Sequence, residues 1–154
     1  FPLGGNQKVE TFSASGKKNL HFWYFEVLCK RDALQELEIQ KWIEAVLNEP
    51  FPQGKLYEDA LKDGVILCKL MNVLAPGSIK KIHEKGAHFK LTENVTRFQE
   101  AIAEYGVHLD DIFQTNDLSE KKDIANVNNT LFRLGVAVSI SILQIVRKNA
   151  TIKR

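Results

Sequence analysis

Cysteine is scarce in this chain. There are two in 154 residues, Cys29 and Cys68. That is too few for a disulfide framework, and both fit a reducing, intracellular setting. Long hydrophobic runs are also missing. The longest, Val136 to Val146, carries Ser139, Ser141 and Gln144, against roughly 20 apolar residues needed to cross a bilayer, so no membrane span is expected. The start does not read as a signal peptide, because Glu10 and a polar run precede the aromatic cluster Phe22–Phe25 and Glu26 follows it. Excess charge of one sign is absent too. The formal net charge is +2, but it is unevenly spread. The four basic residues of 147–154 have no acid among them, whereas 34–146 hold 12 basic and 16 acidic residues, a net of −4. A nucleic-acid reader normally concentrates basic residues on its folded surface, so this balance argues against that class.

Catalytic signatures are lacking as well. The chain has no Gly-rich phosphate loop, His-Glu-x-x-His, Gly-x-Ser-x-Gly or Cys-x-x-Cys. His83 and His88 have no nearby Cys and no second His three or four residues on, and there is no 12-residue calcium loop. The adjacent acids Glu58-Asp59 and Asp110-Asp111 point in different directions on a helix and read as solvated surface. No enzyme, cofactor or metal is expected. Three Asn-x-Ser/Thr triplets, at Asn94, Asn128 and Asn149, read as coincidence.

What is present is helical periodicity. The organising stretch is Asp63 to Leu74. Asp63 can cap a first turn, and Leu67, Leu70, Met71 and Leu74 recur at helical spacing, with Val65, Ile66, Cys68 and Val73 widening the apolar surface. A helix apolar over most of its circumference must be surrounded, so this one is the expected centre of the domain. A helix from Asp32 carries Leu34, Leu37, Ile39, Trp42, Ile43, Val46 and Leu47, and ends at Pro50 and Pro52. Trp42 is expected as a core anchor. Tyr57 to Leu61 forms a short turn, and Pro76-Gly77 stops the central helix.

Residues 77–91 read as an exposed basic loop with Lys80, Lys81, Lys85 and Lys90. Thr92 is then expected to cap a helix lined by Val95, Phe98, Ala101, Ile102 and Tyr105 and stopped by Gly106. Asp110 or Asp111 starts a short turn through Ile112 and Phe113. A last helix over about 120–134 carries Ile124, Val127, Leu131 and Leu134 and closes at Gly135. Beyond it, the β-branched run to Val146 fits a strand or a continuing helix equally. At the other end, 1–19 read as disordered and 20–29 as an aromatic patch without a fixed conformation. The expected organisation is thus an extension over 1–31, a domain over 32–135 and a divergent segment over 136–154.

The domain's motifs resemble the calponin-homology family. Gln40-Lys41-Trp42-Ile43 is followed by Tyr57-Glu58-Asp59-Ala60-Leu61-Lys62-Asp63-Gly64-Val65-Ile66-Leu67-Cys68-Lys69-Leu70 and by Glu93-Asn94-Val95-Thr96-Arg97-Phe98. Tyr105-Gly106-Val107 and Asp111 through Leu118 come next, then Lys121 through Val127, Thr130-Leu131 and Leu134-Gly135. The series Phe113-Gln114-Thr115-x-Asp117-Leu118, Lys122-Asp123-Ile124-Ala125 and Thr130-Leu131-x-x-Leu134-Gly135 is similar to the single-domain calponin, transgelin and small muscle-protein group. After Gly135 the sequence departs from that pattern, and no calponin-type repeat follows. The resemblance implies an all-α fold of four main helices with short connecting ones, a cytoplasmic, cytoskeletal setting, and binding to F-actin or an actin-associated protein. In related domains the Asp-Gly helix region meets the filament, which makes Lys62, Lys69 and Asn72, with Lys80 and Lys81 of the following loop, the candidate actin-binding residues. Two other readings stand beside this one. The first is an adaptor that binds another protein and not actin, which the net −4 of 34–146 suits; the second is an enzyme with a pocket the sequence does not reveal.

Overall fold

Burial of one helix dictates the arrangement, although Val73 on it stays half exposed. The computed structural model describes residues 31–152. The described residues from Ala33 on belong to one compact unit. The expectations for 1–19 and 20–29 lie outside the described residues. Those described form α1 (Ala33–Leu47), α2 (Tyr57–Leu61), α3 (Val65–Leu74), α4 (His88–Tyr105), a 3-10 turn (Leu109–Asp111), α5 (Thr115–Ser119) and α6 (Ile124–Ile152). No strand occurs among them. The architecture is all-α, with four main helices and shorter connectors.

The centre is α3. Leu67, Cys68, Leu70 and Met71 are fully buried, and each large aliphatic side chain so buried contributes roughly 1.5–3 kcal/mol. Asp63 caps it much as the sequence suggests: its Oδ1 accepts from the Val65 N–H at 3.0 Å, one residue before the Gly64 N-cap. α3 packs against α1 and α4, and Ile39 and Ile43 of α1, Val95, Phe98 and Ile102 of α4, and Val127, Leu131 and Leu134 of α6 share one core with it. Gly106 ends α4 at a φ of 121°, and its N–H reaches back to Ile102 and Ala103.

Cys68 sits at the heart of this core. Its Sγ donates to the Asn94 carbonyl at 3.2 Å, and burial pushes its thiol pKa from 9.0 up to about 12. Folding therefore favours the protonated thiol. The associated stability is whole below pH 9.0 and is lost as pH rises toward about 12. In a Cys29→Ser background, the native protein is expected to resist an aromatic disulfide reagent and to label only as fast as it unfolds. Immediate labelling of the folded chain would contradict this burial.

Several sequence expectations are corrected. Trp42 is partly buried, packed against the core from its edge, and also lines a surface groove. Thr92 does not cap α4, which begins at His88; its hydroxyl donates to the His88 carbonyl inside the helix. Glu58 is buried, while its neighbour Asp59 turns outward to Lys121 at 2.6 Å, and the hydrogen bond from that ammonium holds the Asp59 carboxyl below its ordinary range. Thr115–Ser119 forms a helix that the periodicity did not indicate. The Gln114 N–H donates to Asp117 at 2.8 Å there, and Asn126 bonds the same carboxylate at 2.9 Å.

The largest correction concerns Gly135. It does not close the last helix, which runs on for 29 residues to Ile152. A helix pairs its own backbone groups, whereas a strand here would need a partner that the fold does not supply. Glycine inside a helix costs only about 1 kcal/mol, which that pairing outweighs. As one helix, α6 contains an 18-residue window of mean hydropathy 1.5, of which 17% is buried. By length and composition it is long and apolar enough to cross a membrane, so the expectation that no such segment exists is corrected. Its first half is nonetheless core: Val127, Asn128, Thr130, Leu131 and Leu134 are all fully buried.

Candidate functional site

Of the five candidate residues, Lys62 precedes α3, Lys69 and Asn72 lie on it, and Lys80 and Lys81 follow in the next segment. Asn72 is not a free surface amide. Its Nδ2 donates to the Ile79 carbonyl at 3.0 Å and its Oδ1 accepts from the Ile79 N–H at 2.9 Å. This two-way clamp satisfies both backbone groups of Ile79, whose side chain is buried. Asn72 therefore positions the loop through both polar atoms of its amide.

Two further side chains hold the same loop from α4. Arg97 donates to the Lys81 carbonyl, and Asn94 accepts from the His83 N–H at 2.9 Å while donating to the His83 carbonyl at 2.7 Å. Ile79, Lys81 and His83 are thus each fixed by backbone contact to a helix side chain. A segment with no regular structure is pinned at every second residue. Lys80 and Lys81 project from it exposed. Beside them lies a shallow groove of about 230 Å³, also lined by Arg97, Glu100 and Glu104.

Charge around the loop is arranged in pairs. Glu93 bridges the His83 ring, at 3.0 Å from Nε2, and the Arg97 guanidinium. Partial burial works against its charge, but Arg97 and the His83 bond prevail and hold the Glu93 carboxyl below its ordinary range. Arg97 is thereby committed to the scaffold. Lys69, one helical turn before Asn72, pairs loosely with Glu49 at 3.7 Å, with both groups well exposed. Such a pair contributes at most about 1 kcal/mol and leaves the ammonium available. Lys62 is exposed at the C-cap of α2, close enough to Asp59 to add to the field that lowers its pKa.

The Asn72 clamp ties the end of α3 to the loop that carries Lys80 and Lys81, while Lys62 and Lys121 both act on Asp59. Asn94 and Arg97 were missed as holders of the loop. One signal was available: Asn94 lies on the same helical face as Phe98 and Ala101, and a polar residue on an apolar stripe needs partners. No cluster of three or more His, Cys, Asp or Glu able to hold a metal ion occurs among the described residues.

Comparison with known proteins follows the same residues. The calponin homology (CH) domain model matches residues 33–138. Over 112 residues the chain is 54% identical to Muscle-specific protein 20 of Drosophila melanogaster, covering 73% of this chain and 61% of that protein. Over 107 residues it is 56% identical to Myophilin of Echinococcus granulosus, covering 69% of this chain and 56% of that one. The chain spans less than two thirds of the length of either relative. Among solved structures, the crystal structure of the calponin-homology domain of Rng2 from Schizosaccharomyces pombe matches with a TM-score of 0.67 at 27% identity, over 77% of this chain and 76% of that one. The calponin-homology domain of an IQGAP protein from the same organism matches with a TM-score of 0.66, also at 27% identity, over 77% of this chain and 76% of that one.

Proposed function

The chain belongs to the calponin homology domain family, and from that premise we propose that it is an actin-cytoskeleton module that binds F-actin directly through Lys69, Lys80 and Lys81, with Lys62 at the margin. The observation that carries this is the pinned loop. A basic segment held at Ile79, Lys81 and His83 has little left to order when it meets a partner. Lysines presented this way are suited to an acidic filament, where they speed encounter and make binding fall with salt. Asn72 contributes by holding Lys80 and Lys81 in place. The Drosophila relative is named for muscle, and a cytoplasmic, cytoskeletal setting is proposed for this chain. No catalytic role is proposed.

The test is pelleting of the full chain with F-actin, wild type against Lys80→Glu with Lys81→Glu. Both side chains are exposed, so the double variant is expected to melt like wild type while its filament affinity falls by roughly tenfold or more. Unchanged affinity would remove the loop from the contact. It would then favour the adaptor reading, for which the net −4 of residues 34–146 speaks.

A further inference from the structure

The second half of α6 has more apolar surface than a lone helix in water can sustain. No described residue after Leu134 is fully buried. Ile140 is 51% exposed, Leu143 57% and Ile145 58%, and Val136, Ile142 and Val146 are exposed with them. Val136, Ile140 and Leu143 follow i, i+4, i+7 spacing and form one wall of a groove of about 380 Å³, opposite Ile39 and Trp42 of α1. The second stripe, Ile142 and Ile145, lies on another side of the same helix. Together these exposed surfaces amount to several hundred Å², the scale of an interaction patch.

We infer that this half of α6 is the antiparallel interface of a homodimer, each copy's helix lying along the second copy's helix and groove. Charge selects the occupant and its direction. After Val146 the chain carries Arg147, Lys148, Lys153 and Arg154 with no acid. Parallel helices would bring two such ends together. Antiparallel helices crossing between Ile142 and Leu143 set Arg147 and Lys148 of one copy about level with Val138 and Ala137 of the other, at about 1.5 Å rise per residue. Glu38 is the acid that lines the groove, so the basic end of each copy has a carboxylate on the partner groove to meet. The helix stripe alone falls short of the ~800 Å² per partner that a stable interface buries, so the groove must be part of the contact.

A membrane fits less well. The core needs the helix through Leu134, and Arg147 and Lys148 interrupt what remains. The uncharged run Val136–Val146 then reaches only about 16 Å, against a hydrocarbon thickness near 30 Å.

The test is sedimentation equilibrium of the full chain over a range of concentrations, with phosphatidylserine/phosphatidylcholine vesicles as a second arm. The expected result is a mass near twice the 17.5 kDa of the chain. Ile140→Glu with Leu143→Glu is expected to give a monomer with unchanged core melting. Glu38→Lys is expected to weaken the dimer by roughly fivefold to tenfold, and adding Arg147→Glu and Lys148→Glu to restore it. A monomer at every concentration overturns the inference, as does a dimer that survives the Ile140/Leu143 variant. Failure of the charge swap overturns the antiparallel arrangement. A monomer that sediments with anionic vesicles reassigns the surface to lipid.

Discussion

Asn94→Ala is expected to lower stability by about 3–4 kcal/mol, more than a typical surface change and comparable with emptying a core position. The side chain is fully buried. It donates to the Asp63 carbonyl at 2.9 Å and to the His83 carbonyl at 2.7 Å, and accepts from the His83 N–H at 2.9 Å. Alanine removes all three bonds and strands backbone groups on two different segments. Each loss costs roughly 1–1.5 kcal/mol where water does not fully replace the partner. Thermal unfolding followed by circular dichroism checks this, with an expected fall in midpoint of roughly 10–20 °C. A loss under about 1 kcal/mol would mean that solvent already satisfies these groups. Asn94→Asp is a sharper control: it sets a carboxylate against two carbonyl oxygens, so that variant is expected to be less stable at neutral pH than when acid protonates it.

Gly64→Ala is expected to cost about 3 kcal/mol or more, although it adds a single methyl group. Gly64 has a φ of 71°, where any other residue is strained. Its added Cβ would lie 2.8 Å from Asn94 Cβ and 2.9 Å from the Val95 backbone nitrogen. The nitrogen cannot swing aside, so α3 and α4 must separate. Overpacking of this kind costs about 1–3 kcal/mol beyond the backbone strain. Because separation also stretches the bond from Asn94 to Asp63, Gly64→Ala and Asn94→Ala are expected to be non-additive, the double variant losing less than the sum. Additive losses in a double-mutant cycle would separate the two effects. Wild-type stability in Gly64→Ala would contradict the close approach of the helices.

These two residues mark what was legible in the sequence. The buried centre was plain, because Leu67, Leu70 and Met71 repeat at helical spacing and only Lys69 and Asn72 interrupt the apolar surface. The Asp-Gly entry into it was legible as a cap, but not as the point where α4 touches α3. That contact joins residues about thirty apart, and no local period encodes it. The start of α4 was misplaced because His88, Phe89 and Lys90 form an exposed first turn with no apolar face to show, Phe89 itself lying open. Trp42 shared a stripe with Ile39 and Ile43, yet sits at its edge, where α1 meets α6 over the groove. Of the candidate site, the lysines could be picked out by charge and resemblance. The side chains that hold their loop could not, since Asn72, Asn94 and Arg97 act on backbone groups that any sequence would supply.

Pelleting of the full chain with F-actin at low and moderate salt tests the central claim most directly. The lysine surface predicts that the chain sediments with filaments at low salt and that the bound fraction falls as salt rises. A chain that stays in the supernatant at low salt, with filaments fully sedimented, would contradict direct binding.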